Sequence, residues 1–207
     1  MRVLPIKSEE TYQWCLKKHY AHRIPSISYV FGLYDDSNVL SGIITYGMPP
    51  NYVEMMVWKP YDLLELNRLC LNDNIKNGAS FLIGGTFKLL PKPTELISYA
   101  DFRAGHRGYI YQVTNWLYTG VGGEGQKIYI MKDGSERHQR HEKTIEKSHI
   151  ERVELTTGKA RYYYFLGKKN ETNKMKAMLR YKVLPYPKGD NKRYDTSFKP
   201  QTQELLF

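Results

Sequence analysis

Three features of the 207-residue sequence predict an α+β fold, a mixed sheet with helices on both faces. Residues 62–120 read as strand, helix, strand, helix, and a crossover helix of that length makes its two flanking strands parallel neighbours with a right-handed connection. Residues 28–46 read as a hairpin, which adds antiparallel strands and makes the sheet mixed. After Gly122-Gly123 the pattern returns to strands and ends in a basic helix and an extended tail.

Each element has a local reason. Ser8-Glu-Glu-Thr-Tyr is a helix start, with Ser8 as N-cap and acids in the first turn, and the helix should reach about Tyr20 and stop before Pro25. Ser28 to Tyr34 and Val39 to Tyr46 are rich in β-formers, and Asp35-Asp-Ser-Asn38 is the turn between them. Met48-Pro-Pro-Asn51 breaks the second strand, and the segment to Pro60 reads as a loop or short strand. In Asp62–Leu71, Leu64 and Leu66 point inward with Leu69 and Leu71 as further candidates, while Glu65, Asn67 and Arg68 face another surface. The turn from Asn72 to Gly78 leads to an apolar helix, Ala79 to Leu90, which Pro91 and Pro93 end. Glu95–Asp101 is a fourth strand. The loop Gly105-His-Arg-Gly108 opens a second helix, expected from Tyr109 to Tyr118 and ended by Gly120. A strand over Gln126–Lys132, a basic polar stretch over Arg137–His149, a strand over Arg161–Gly167 and a helix over Thr172–Tyr181 complete the pattern, and the last fifteen residues read as poorly structured.

Composition narrows the function. Of 31 Lys and Arg against 21 Asp and Glu, residues 1–125 hold 12 and 11, so nearly all of the net charge of +10 falls in the last 82 residues. A solubility device would be spread over the surface, whereas a polyanion-binding surface is concentrated in this way. Eighteen Tyr, three Trp and seven Phe add flat side chains able to stack on bases. Two isolated cysteines, Cys15 and Cys70, give neither a disulfide framework nor a C-x-x-C zinc spacing and read as reduced, buried thiols. The sequence has no apolar run of secretory-signal length at its start and none approaching the ~18 residues of a membrane span, so a cytoplasmic chain is expected.

Ligands of parallel α/β units sit beyond the carboxyl ends of the strands, where two loops qualify here. Lys76-Asn77-Gly78-Ala79-Ser80 opens a helix whose free N–H groups and dipole suit a phosphate, with an ordinary capped helix start as the competing account. It lacks the further glycines of a P-loop or a dinucleotide fingerprint. The second loop runs from Ser98 through Tyr99, Asp101, Arg103, His106 and Arg107 to Gly108, and gathers an acid, a histidine, two arginines and a tyrosine past a buried strand. A carboxylate placed there serves as general base, metal ligand or anchor, unless it merely pairs with Arg103 or caps the next helix. Glu65 and Arg68 on the neighbouring strand must pair with each other or with a ligand if buried. His138, His141 and His149 read as solvated, and no G-x-S-x-G elbow supports hydrolase chemistry.

Taken in order, His19-Tyr20 before Pro25, Glu65-Leu-Asn-Arg-Leu-Cys-Leu71, Asn77-Gly-Ala-Ser80, Ser98-Tyr-Ala-Asp101…Gly105-His106, Tyr111-Gln-Val-Thr-Asn115-Trp…Tyr118-Thr-Gly120 and Pro185-Tyr-Pro-Lys-Gly189 resemble the bacteriophage Mom family from about residue 14 to 190. The run from 65 to 120 is the most specific part. The resemblance implies a GNAT-like fold in which two neighbouring parallel strands splay around a cofactor, here the third and fourth. The catalytic core would span 1–125, the rest of the sheet and a basic DNA-binding part 126–190, and a tail 191–207. It further implies transfer of a carbamoylmethyl-type group to the exocyclic amine of adenine in double-stranded phage DNA, inside the host bacterium, as protection against restriction. Asp101 with His19 and Tyr20 would form the reaction centre. Glu65, Arg68, Tyr99 and Asn115 would position adenine or donor, and Lys76, Asn77, Gly78, Ala79 and Ser80 would hold a phosphate-bearing cofactor. The family's link to iron makes His19, Tyr20 and Asp101 candidate Fe(II) ligands, an acceptable imidazole, phenolate and carboxylate set. GNAT acetyltransferases carry Gln/Arg-x-x-Gly-x-Gly/Ala where this chain has Asn72 to Ser80, which counts against acetyl-CoA and leaves an acyl-CoA-like or other phosphate-bearing donor.

An adenine amine is buried in the duplex, so its base must be extruded, at a cost met by stacking and phosphate contacts. Arg103, Arg107, Arg161, Tyr162, Tyr164, Lys168 and Lys169 are the candidate DNA contacts, and Tyr162 and Tyr164 share a strand face that Tyr163 does not. The basic stretch 137–152, with Lys174, Lys176, Arg180 and Lys182, extends that surface. A GNAT acyltransferase acting on protein or RNA and a catalytically inert nucleic-acid-binding protein are the competing readings. The sequence leaves the oligomeric state open, a homodimer included.

Overall fold

The computed structural model describes residues 1–50, 56–72 and 75–190; residues 51–55, within the break expected before Pro60, residues 73–74, within the turn expected from Asn72 to Gly78, and the tail 191–207 lie outside the described residues. Among the described residues eight strands form one sheet in the order β1-β2-β3-β4-β5-β8-β6-β7. They are β1 (Arg2–Pro5), β2 (Tyr29–Tyr34), β3 (Leu40–Gly47), β4 (Asp62–Leu71), β5 (Thr94–Asp101), β6 (Leu117–Met131), β7 (Glu136–His138) and β8 (Ile150–Leu166). Helices α1 (Gly78–Leu89), α2 (Tyr109–Val113) and α3 (Lys169–Met178) accompany them. The expected β2–β3 hairpin forms, and β4 and β5 are parallel neighbours joined through α1, as the crossover required. No helix among the described residues is long and apolar enough to cross a membrane.

Helices cover both faces. On the first, α1 buries Leu82, Ile83 and Thr86 against Phe31, Ile44, Tyr46, Leu64, Leu66 and Leu96. On the second, Trp14 and Cys15 pack against Ile43 and Cys70, and Met175 of α3 joins Leu63, Ile97, Tyr163 and Phe165. The mixed parity expected of β4 has a cause: the β3–β4 register slips so that Thr45 opposes Arg68 while Tyr46 opposes Leu66. Asn67 is the extra residue of a bulge. Leu64, Leu66, Leu69 and Leu71 therefore all reach the first face, while Arg68 and Cys70 turn to the second.

Several boundaries differ from expectation. The first helix is a 3-10 turn over Ser8–Thr11 followed by a wide π turn over Trp14–Lys18, and its start is closed by Glu10 accepting the Lys7 N–H at 2.7 Å, not by Ser8. The helix opened by Gly108 stops at Val113 because Asn115 takes a left-handed backbone, φ 62, and Tyr118 lies in β6. β6 begins nine residues before Gln126. Its glycines are not breaks: Gly120 and Gly125 adopt positive φ where the β6–β8 register shifts, so each is part of a bulge, while Gly122 and Gly123 lie between the two shifts where the pairing stays in register. β8 extends over seventeen residues, and α3 begins three residues before Thr172. The basic stretch after Arg137 folds into the end of β7 and two 3-10 turns.

Candidate active site

β4 and β5 pair at four positions, from Asp62 opposite Thr94 to Glu65 opposite Ile97. Beyond them β4 follows β3 and β5 follows β8. The Ser98 hydroxyl occupies the parting, donating to the Leu66 carbonyl at 2.7 Å and lying 2.7 Å from the Tyr111 hydroxyl. This parting is compatible with the splayed pair that a GNAT-like fold requires.

Strand parity then loads one face. Leu63, Ile97 and Tyr163 pack together on the second face, so Glu65 of β4, Tyr99 and Asp101 of β5, and Lys159 and Arg161 of β8 emerge there too. The bulge at Asn67 adds Arg68. The π turn crosses the same face above Cys70 and ends where His19 becomes extended, delivering His19 and Tyr20 to the parting. Their rings stack at 4.3 Å and 29°, and His106 lies 5.2 Å from Tyr20 on its other side.

Burial sets the chemistry. Desolvation lifts the Glu65 carboxyl to about 7, although Arg68, Lys159 and Arg23 pull it down. Desolvation, aided by Arg68, His106, His22 and Arg23, drops His19 to about 3, so its imidazole is neutral. The Ala21 N–H donates to its Nδ1 at 3.1 Å, which puts the proton of that neutral ring on Nε2. Desolvation and the Asp101 charge raise the Tyr20 phenol to about 12. Arg68 is 6% exposed and donates Nε and Nη2 to the Arg23 carbonyl and Nη1 to that of Asn67. Asp101 accepts from Lys159 Nζ at 3.0 Å through Oδ2 and from the Arg103 N–H at 3.0 Å through Oδ1. The site thus combines a carboxyl that titrates near neutrality, a neutral imidazole donor and clustered cations, an arrangement suited to taking a proton from a substrate and steadying negative charge.

With no metal bound, each of the candidate iron donors holds a proton or a hydrogen-bond partner. His19 Nδ1 is occupied and Nε2 carries its proton, the Tyr20 phenol is held in its protonated form, and both Asp101 oxygens have donors. Among the described residues no group of three His, Cys, Asp or Glu could hold a metal ion.

The structure brings His19, Tyr20, Glu65, Arg68, Tyr99 and Asp101 to one face and leaves Asn115 out: it is exposed at the left-handed end of α2, whose Tyr111 packs into the first face. Lys76 to Ser80 do open α1. There Gly78 is demanded by packing, since a Cβ would stand 2.6 Å from Ile75 Cγ2, and the Ser80 hydroxyl donates back to the Asn77 carbonyl. The expected DNA contacts scatter. Tyr162 is fully buried and donates its hydroxyl to the Arg107 carbonyl at 2.6 Å, and Tyr164 stacks on Phe87 at 4.3 Å, so both tyrosines belong to the core instead of a base-stacking surface. The reason is that both faces of β8 are covered over its inner part, from Ala160 to Leu166. Arg103 bridges Glu136 and Glu154 at 2.8 and 2.7 Å. Arg161 lies over the Tyr181 ring and holds Thr119, whereas Lys168 and Lys169 are exposed at the start of α3. Residues 126–157 turn out to be balanced, with seven basic and six acidic side chains, while 158–190 hold nine and two. The charge excess therefore belongs to the end of β8, α3 and the segment after it.

Three further residues enter the site. His106 was visible in its glycine-flanked loop, but not its place beside Tyr20. Lys159 could be found only from the β5–β8 register that sets it opposite Asp101. Arg23, which gives its carbonyl to Arg68 and its charge to Glu65, carries no motif.

A model of the Mom protein family matches residues 1–188. The methylcarbamoylase mom of Escherichia phage Mu is 27% identical over 191 residues, an alignment covering 83% of this chain and 77% of the phage protein.

Proposed function

The chain belongs to the Mom protein family, and from that premise we propose that it is a phage DNA-modifying transferase that places a small carbamoylmethyl-type group on the exocyclic amine of adenine and so shields phage DNA from restriction. The observation that carries the reading is the half-buried Glu65 carboxyl, titrating near neutrality at the parting of β4 and β5 among Asp101, Lys159, Arg68, His19 and Tyr20. An arylamine such as that of adenine is a weak nucleophile and must lose a proton as it forms its new bond. In the proposed step the amine nitrogen bonds to the donor carbon, the donor's leaving group departs with its electron pair, and Glu65 takes the amine proton. Asp101, fixed by Lys159 and the Arg103 N–H, orients the adenine, and the His19 Nε2–H donates to it or to the donor. If iron is bound, His19, Tyr20 and Asp101 would be the side chains that hold it.

A phosphate-bearing donor, acyl-CoA-like or other, would meet the N-terminus of the twelve-residue α1 beside Lys76, at the end of the sheet where β4 and β5 finish. Lys168, Lys169, Lys174, Lys176, Arg180 and Lys182 offer exposed charge to the DNA backbone.

The test is mass spectrometry of nucleosides from DNA of bacteria expressing the chain or its Asp101→Ala variant. A heavier deoxyadenosine made by the intact chain and absent from the variant supports the proposal. Carbamoylmethyl and the methylcarbamoyl group in the phage Mu protein's name are isomers, so fragmentation must assign the linkage. Unmodified DNA from abundant folded protein supplied with phage extract, or equal modification by Asp101→Ala, overturns it.

A further inference from the structure

A groove of about 500 Å³ runs between the start of α2 and the extended C-terminal segment, lined by Arg107, Tyr109, Gln112, Tyr186, Lys188 and Asp190 along with Pro187 and Gly189. Except for Arg107, none of these residues has been given a role. Resting on the DNA-modification reading, we infer that this groove holds the single-stranded nucleotides next to the target adenine once that base leaves the duplex.

Continuity with the site is the first argument. His106 lies against Tyr20, and the next residue in the chain, Arg107, forms the groove wall. One short loop therefore joins the site to the groove wall, the path along which a strand leaving the site would run. The loop is held at several points. The His106 N–H donates to the Asp101 carbonyl at 3.0 Å, and the Arg107 carbonyl accepts from Tyr162 and from Gln112 Nε2. Gly108 is left-handed at φ 76, and a Cβ there would strike the Tyr162 ring at 2.4 Å.

Chemistry is the second. Tyr109 is 62% exposed and Tyr186 41% exposed, two flat faces in water within one concavity. The Tyr186 hydroxyl donates to the Trp116 carbonyl at 2.8 Å, which fixes that ring in place. Single exposed aromatics are ordinary, but paired aromatics beside cations are how proteins hold unpaired strands. Arg107 and Lys188 supply two positive charges against the one carboxylate of Asp190, and the Arg107 guanidinium rests over Phe102 at 4.8 Å. Gly189 passes close to that guanidinium, where a Cβ would lie 3.5 Å from Nε. The volume falls within the ~300–1,000 Å³ of small-ligand clefts, which suits a nucleotide or two and not a duplex.

The experiment is fluorescence anisotropy on the full chain with a labelled single-stranded DNA oligonucleotide carrying a central adenine, the same sequence as a duplex, and the same strand as RNA. Tyr109→Ala is expected to weaken single-strand binding by about 5- to 150-fold, the span of one base–aromatic stack, while Tyr109→Phe binds as the original chain does. Lys188→Ala is expected to weaken it and to lower the salt slope by about 0.7, the share of one phosphate on a single strand. Single-strand affinity unchanged in both Tyr109→Ala and Lys188→Ala overturns the assignment. So does an equal loss on single strand and duplex, or an RNA strand that outcompetes the DNA one. Binding is read without turnover, so DNA left unmodified by a chain whose groove behaves as described would defeat the modification reading alone.

Discussion

Arg68 on β4 and Arg152 on the outer half of β8 both stand near carboxylates, and the two are used differently. Arg152 lies in water, with its Nη1 3.0 Å from Glu151 and its Nε 2.9 Å from Glu154. Around it, Lys127 meets Glu142 and Arg103 meets Glu136 and Glu154, so the arm made by β6, β7 and β8 neutralises itself with exposed pairs. Arg68 is buried, gives its donors to backbone carbonyls, and acts on Glu65 through space. In the arm, partners cancel one another and solvent screens what is left. At the parting of β4 and β5, desolvation is the largest influence on Glu65, His19 and Tyr20 alike. It favours the neutral form in each case. The same residue types form a passive surface in one region and a reactive centre in the other because water is withdrawn from the second.

The largest effect that would break this comparison is in Glu65. Glu65→Gln should lower the DNA modification rate by about 100-fold or more, the usual contribution of a general base, while Glu142→Gln in the arm stays within twofold. The intact chain's rate should rise as pH climbs through about 7, where Glu65 loses its proton, and the rise should be missing from Glu65→Gln. Stability moves in the opposite direction. A carboxyl whose folded value is raised from 4.5 to about 7 stabilises the fold while protonated, and that contribution is lost as pH rises through this window. Urea midpoints should therefore fall between about pH 4.5 and 7 in the intact chain more steeply than in Glu65→Gln. Parallel pH profiles for the two proteins would remove Glu65 from the centre.

Arg68→Met sharpens the same contrast with a smaller effect. Arg68 is the largest of the three cations that restrain Glu65, so its loss should move the midpoint of the pH–rate profile upward and cut the rate at pH 7 severalfold. The variant also strands the Arg23 carbonyl, at a cost of about 1–3 kcal/mol in chemical unfolding. A profile unmoved in a folded Arg68→Met protein would show that the two side chains do not act on each other.

The sequence revealed what depends on local pattern and on order along the chain. Period-two runs and turn residues identified β2, β3, β4 and β5, the crossover made β4 and β5 parallel, and the ordered motifs marked His19, Tyr20, Glu65, Arg68 and Asp101. What it hid depends on register and on three-dimensional cover. Glycines that read as breaks at 120–125 lie inside one strand, Gly120 and Gly125 at bulges and Gly122 and Gly123 in register with β8, and pairing is not written into a single strand. The tyrosines 162 and 164 read as stacking surface because alternation gives the face of a residue without saying what lies on it. Charge misled in a similar way. The run 137–152 has cations enough to attract the eye, but its acids are interleaved, and once the arm folds Glu151 pairs with Arg152 and Glu142 with Lys127 of β6. Lys159 belongs to the site through one cross-strand register, a fact of pairing that no motif encodes.

The smallest effect is expected where the arm's arginine is removed. Arg152→Ala deletes two exposed contacts whose carboxylates remain hydrated and, for Glu154, remain paired with Arg103. The thermal midpoint, the pH–rate midpoint and the modification rate should all match the intact chain within error, because exposed pairs give back in desolvation and side-chain entropy most of what they gain. The measurement has force because Arg152 is engaged by two carboxylates at hydrogen-bond distance, while Arg68 has no salt bridge among the described residues. If contact with carboxylates decided importance, Arg152→Ala would be the more damaging change. If burial decides it, Arg68→Met will be, and a pH–rate midpoint that moves with Arg152 would show that the arm's charges reach Glu65 after all.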